Sequence, residues 1–69
     1  MKKYYIKIRI EYGDYERVSR SLYYYCRGFD EPQPNLAEAL KICVVEFYEN
    51  HPGCDIFSLG VIENNLFEK

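Results

Sequence analysis

His51-Pro52-Gly53-Cys54 sets the single imidazole of the chain three residues from a thiol, the spacing that first suggests a nucleophile and its base. Such chemistry needs the histidine within hydrogen-bond reach of an activated nucleophile and a carboxylate to orient it. A histidine at a helix end is equally accounted for as a cap facing the last carbonyls. Cys26, His51 and Cys54 are the candidates for a metal, but a structural zinc site takes four ligands, commonly with closely spaced cysteine pairs. The four glycines, at 13, 28, 53 and 60, are scattered and form no phosphate-cradling loop. The expectation is a chain with no catalytic residue, no metal ligand and no cofactor.

What remains is recognition chemistry. Eight tyrosines and no tryptophan in 69 residues is a high aromatic content, and tyrosine combines an apolar ring with a polar tip suited to binding surfaces. Tyr5, Lys7, Arg9, Arg17, Tyr23 and Tyr25 interleave rings with cations, and Glu38, Glu46 and Glu49 form an acidic set on the candidate helix. These are the two candidate partner-binding surfaces.

The elements that hold them are read from periodicity. Tyr4 to Tyr12 alternates, with Tyr4, Ile6, Ile8, Ile10 and Tyr12 on one face and Tyr5, Lys7, Arg9 and Glu11 on the other, which predicts a half-buried strand. Gly13-Asp14 predicts a reversal. Residues 15–26 fit a helix capped by Asp14 or a strand, and the run Tyr23-Tyr24-Tyr25 favours the strand. Alternation then sets Val18, Leu22, Tyr24 and Cys26 toward the core with Arg20 as a misfit, and Arg17, Ser19, Ser21, Tyr23 and Tyr25 away from it. Residues 28–34, with Pro32 and Pro34, read as a loop.

Asn35 reads as an N-cap with Glu38 three residues on. The helix is expected from Leu36 to about Asn50, inward through Leu36, Ala37, Leu40, Cys43, Val44, Phe47 and Tyr48, with Glu38, Lys41, Glu46 and Glu49 outward. Pro52 and Gly53 end it. Residues 55–63 predict a third strand, with Phe57, Leu59 and Val61 on one face and Ile56, Ser58, Gly60 and Ile62 on the other. Asn64-Asn65 reads as a turn, and residues 66–69 as a short edge strand or a frayed end.

This order, ββαβ, predicts a single α+β domain in which one helix packs on one face of a three-stranded antiparallel sheet of order 2-1-3. The uncovered face is expected to display Tyr5, Lys7, Arg9, Arg17, Tyr23, Tyr25, Ser58 and Gly60. A domain of this size buries only about 60% of its unfolded surface, and its strand edges are open to a partner or to a second copy.

Charge is unevenly spread. Up to Arg27 seven basic residues face three acidic ones, and beyond it two face eight, within a net charge of -2. Such a dipole can steer a charged partner. No segment approaches the roughly 18 apolar residues of a membrane span, and three cysteines with no secretion signal fit a cytoplasmic protein.

The segment Asn35-Leu36-Ala37-Glu38-Ala39-Leu40 through His51-Pro52-Gly53, followed by Ile56-Phe57-Ser58-Leu59, resembles the helix-then-strand half of many short phage-encoded proteins. In size, acidic charge and ββαβ order the chain resembles small phage-encoded inhibitors of bacterial defence, the anti-CRISPR proteins among them. These share no common motif, so the resemblance carries over no functional residue. It implies inhibition by binding a defence or nucleic-acid-processing protein in the host cytoplasm. The expected function is therefore a non-enzymatic protein-binding module. A nucleic-acid binder using the basic, aromatic face and a self-assembling module stand as alternatives, the former set against the net acidity of the chain.

Overall fold

The computed structural model describes residues 2–14, 16 and 19–68. Among them the chain forms strand β1 (Tyr4–Asp14), strand β2 (Ser21–Phe29), helix α1 (Leu36–Asn50) and strand β3 (Cys54–Asn65). β1 is central and pairs antiparallel with both neighbours, so the sheet runs β2-β1-β3 and the fold is the α+β arrangement expected. Ile6, Ile8 and Ile10 of β1 are fully buried beneath Ala39, Cys43 and Phe47 of α1. Each buried side chain of that size contributes about 1.5–3 kcal/mol.

α1 keeps its expected bounds. Asn35 caps it, its Oδ1 accepting the Glu38 N–H at 2.9 Å. Its roll differs from the expectation: Ala39 is fully buried, Ile42 packs against the core, and Leu36, Ala37 and Tyr48 are exposed. The Ala39, Cys43 and Phe47 stripe faces the sheet because small residues at its start allow close approach, while the charged Glu46 beside it finds a cation on β2.

The faces of β2 are the reverse of the sequence expectation. Tyr12 pairs with Ser21, Ile10 with Tyr23, Ile8 with Tyr25, Ile6 with Arg27 and Tyr4 with Phe29. Tyr23, Tyr25, Arg27 and Phe29 therefore share the helix-covered face with the isoleucines, and Leu22, Tyr24 and Cys26 face outward. A slip of one residue exchanges every side chain between faces. The observed choice buries Phe29 and gives Tyr25 and Arg27 a carboxylate on α1. Tyr15, Arg17 and Val18, which the alternation placed in this strand, lie outside the described residues.

β1 does not reverse at Gly13, which pairs with Asp55 while Asp14 pairs with Cys54. Gly13 is required by space, since a Cβ there would lie 2.0 Å from the Ser19 carbonyl oxygen and 2.9 Å from the Phe57 ring.

β3 is longer than expected and carries two register shifts, between Lys7 and Ile8 and between Glu11 and Tyr12. Each inserts one residue, and an insertion exchanges the faces beyond it. Ile56 consequently joins the core face with Leu59, and Phe57 crosses to the opposite face above Gly13. Asn64 and Asn65 pair with Ile6 and Tyr5 instead of turning. Leu66, expected in a short edge strand or a frayed end, is 1% exposed, and its carbonyl accepts the Gln33 N–H at 2.8 Å.

Candidate functional site

The face of the sheet opposite α1 is formed by alternate residues of β1, Tyr5 to Gly13, and by their neighbours. At one end the Tyr5 hydroxyl donates to Glu63, and the Lys7 Nζ lies 3.9 Å from the same carboxylate and 5.8 Å from the Tyr5 ring. The hydrogen bond to Glu63 holds the Tyr5 phenol above its ordinary pKa. At the other end Arg20 Nη1 lies 3.2 Å from Glu11, and the Ser58 hydroxyl donates to Glu11 at 3.3 Å. The Arg20 guanidinium also sits 5.1 Å from the Phe57 ring centroid.

Arg9 lies between these two clusters. It is exposed, is flanked across the strands by Tyr24 and Gly60, and has no hydrogen-bond or ion-pair partner among the described residues. Lys7 and Glu11 flank it along β1, while the neighbouring strands offer exposed apolar groups, with Leu22 54% exposed, Tyr24 65% and Ile62 58%. Tyr24, Cys26 and Ile62 line a shallow depression over the half-buried stem of Lys7. A free guanidinium with exposed apolar groups on the strands to either side can take a carboxylate in two parallel hydrogen bonds while those groups exclude water.

The structure brings Tyr5, Lys7 and Arg9 together as expected and adds Leu22, Tyr24 and Ile62, which lie outside the expected set. Tyr23 and Tyr25 are removed from this face. Tyr23 stacks on Tyr25 with centroids 5.9 Å apart and meets the edge of His51 at 5.3 Å. The Tyr25 hydroxyl donates to Glu46 Oε1 at 2.6 Å, and burial with that bond raises its pKa. Arg17 lies outside the described residues.

The acidic helix surface is also altered. Arg27 Nε donates to both Glu46 carboxylate oxygens, at 2.9 and 3.1 Å. The Arg27 bond, seconded by Tyr25, holds the Glu46 carboxyl below the usual range. Glu46 is thus half-buried and engaged, leaving Glu38 and Glu49 exposed around Ile42 and Val45. A single-sign acidic stripe is not formed.

His51 stacks on Phe47, with centroids 4.2 Å apart and ring planes at 12°, and its Nδ1 lies 3.0 Å from the Phe47 carbonyl. A carbonyl only accepts, so Nδ1 carries the proton and donates. His51 sits on the helix-covered face and Cys26 on the open one, so the three candidate metal ligands are not assembled. Among the described residues no group of three His, Cys, Asp or Glu side chains is placed to hold a metal ion. The buried Cys43 thiol is pushed up to about 11 by burial and by the nearby Glu46, which suppresses its thiolate. In comparisons with protein-family models, curated proteins and solved structures, no match to the chain was found.

Proposed function

We propose that this chain is a small non-enzymatic protein-binding module whose open sheet face docks on a partner through Arg9, with Leu22, Tyr24 and Ile62 as apolar contacts. The observation that carries the reading is the Arg9 guanidinium, unpartnered among the described residues, with exposed apolar side chains on the strands to either side. The charge on Arg9 and the neighbouring ammonium of Lys7 favour a partner that presents a carboxylate within an apolar surround. Such a module acts by occupying a surface. The resemblance to phage-encoded inhibitors then points to a defence or nucleic-acid-processing protein as the partner, and three free thiols fit a reducing cytoplasm. No helix among the described residues is long and apolar enough to cross a membrane.

Capture from a bacterial lysate, with and without nuclease, tests the reading through variants. A protein retained in stoichiometric amount after nuclease is expected to be lost from Arg9→Glu and weakened by Ile62→Ala. The Arg9→Glu loss should reach about thirtyfold, the effect of a ~2 kcal/mol hot spot. Retention indifferent to Arg9→Glu removes this face from consideration. Retention abolished by nuclease transfers the face to nucleic acid, whose binding then falls steeply with salt. The position of Tyr23 and Tyr25 under α1 weighs against that outcome, because it leaves Tyr5 as the one ring of the interleaved set on the open face.

A further inference from the structure

The two edges of the sheet are protected very differently. β3 carries two bulges and runs into the buried Leu66. Bulges and bends of this kind blunt an edge against pairing. β2 keeps an unbroken register with β1 over nine residue pairs. From Leu22 to Cys26 it contains no charge and no proline, the composition of a strand that adds to another. Among the described residues, the backbone groups of residues 21–27 make no hydrogen bond to a loop, a cap or a side chain, whereas the Gly28 carbonyl accepts one from the Arg27 guanidinium.

We propose that two copies of the chain pair through β2, antiparallel and about a two-fold axis at Tyr24, to make one continuous six-stranded sheet. The register follows from the sequence of the edge. With the axis at Tyr24, Leu22 lies opposite Cys26 of the second copy, Tyr23 opposite Tyr25, Ser21 opposite Arg27 and Arg20 opposite Gly28. An axis at Tyr23 sets Arg20 against Cys26, and an axis at Tyr25 sets Arg27 against Tyr23. The Tyr24 axis is the one of the three that sets each of Leu22, Tyr24 and Cys26 opposite another member of that set, and it opposes no like charges. It joins the exposed Leu22, Tyr24 and Cys26 of both copies into one apolar band. An isologous contact of this kind closes on itself, which ends growth at two copies. The proposal rests on the strand edge; it shares Leu22 and Tyr24 with the docking reading for the open face, and the mass of the isolated chain and its mapped cross-link report on the edge alone.

A cross-link specific to this register tests it. Positions 22 and 26 of one chain are about 13 Å apart along a strand, too far for a disulfide, which needs Cα atoms within about 7 Å. In Leu22→Cys the new thiol and Cys26 of the second copy are opposite each other. Oxidised glutathione takes two electrons and two protons from each such pair, giving a dimer held by two disulfides and reduced glutathione as product. Peptide mapping is expected to show the 22–26 linkage between chains, and sedimentation is expected to give the wild-type chain twice its monomer mass at concentrations where Tyr24→Lys is monomeric. Tyr24 is 65% exposed, so this substitution spares the fold, and it sets two ammonium groups opposite each other at the axis. The expected weakening is at least about tenfold, the equivalent of ~1.4 kcal/mol. A wild-type chain that remains monomeric at every concentration overturns the proposal. So does a dimer that tolerates Tyr24→Lys, or one whose mapped linkage joins Cys26 to Cys26.

Discussion

Glu46 shows how one residue's environment settles its role. As a helix residue it reads as solvent-facing, yet it accepts bonds from Arg27 and Tyr25 and ties α1 to β2. Its folded carboxyl titrates below the unfolded one, whose pKa is about 4.3. The stabilisation it supplies is therefore complete above that pH and is lost as pH falls through the lower, folded-state value. Acid titration of stability is expected to be shallower in Glu46→Gln than in the wild type, and Glu46→Gln is expected to be the less stable protein at pH 7. Identical acid limbs in the two proteins count against the pairing. The sequence held a sign of this arrangement in Arg20 and Arg27. Arg20, the misfit in the assumed core face of the second strand, marks that face as the open one, and Arg27 on the other face requires a carboxylate beneath the helix.

At the scale of elements, local chemistry is decisive for the helix and insufficient for the strands. Asn35 and Pro52 bound α1 by capping and by steric exclusion, which act within a few residues. Asn35→Ala is expected to destabilise the domain by about 1 kcal/mol in urea unfolding. Glycines in the sheet differ by position. Gly13→Ala drives a methyl into the Ser19 carbonyl and should cost about 1–3 kcal/mol or more, whereas Gly60→Ala, with nothing within 4 Å of its Cβ, should fall within about 0.5 kcal/mol of the wild type. Equal effects at the two sites in the same unfolding series contradict the packing described for Gly13. The bulges of β3 left no local mark, because Ile56 and Phe57 are both apolar and either satisfies an alternating pattern.

For the whole molecule, the charge asymmetry seen along the sequence is largely folded away. Lys2 pairs with Asp30, Lys7 with Glu63 and Arg27 with Glu46, each joining the basic first part of the chain to the acidic remainder. What remains unpaired at the centre of the open face, among the described residues, is Arg9. The same closure brings Leu66 beneath the sheet, where it locks the C-terminal segment to the loop before α1 through Gln33. Leu66→Ala is expected to cost about 2–5 kcal/mol, the range for a fully buried leucine. Ile8→Asp, which puts an unpaired charge in the central strand, is expected to abolish cooperative unfolding altogether. A cooperative transition in Ile8→Asp, or a Leu66→Ala midpoint equal to wild type, contradicts this core.

The alternation of Tyr4 to Tyr12, the cap at Asn35 and the break at Pro52 are short-range signals, and by themselves they determined the first strand and the helix bounds, whereas residues 15–26 fitted a helix or a strand. The sheet order followed from connection rules applied to those elements. The face of β2 was decided only in three dimensions, because a strand with tyrosines at 23, 24 and 25 satisfies either register. The choice went to the one that buries Phe29 and pairs Arg27 with Glu46. The same long-range pairing moved Tyr23 and Tyr25 out of the candidate site and moved Leu22 and Tyr24 into it, since side-chain faces in a sheet are fixed by partners distant in sequence.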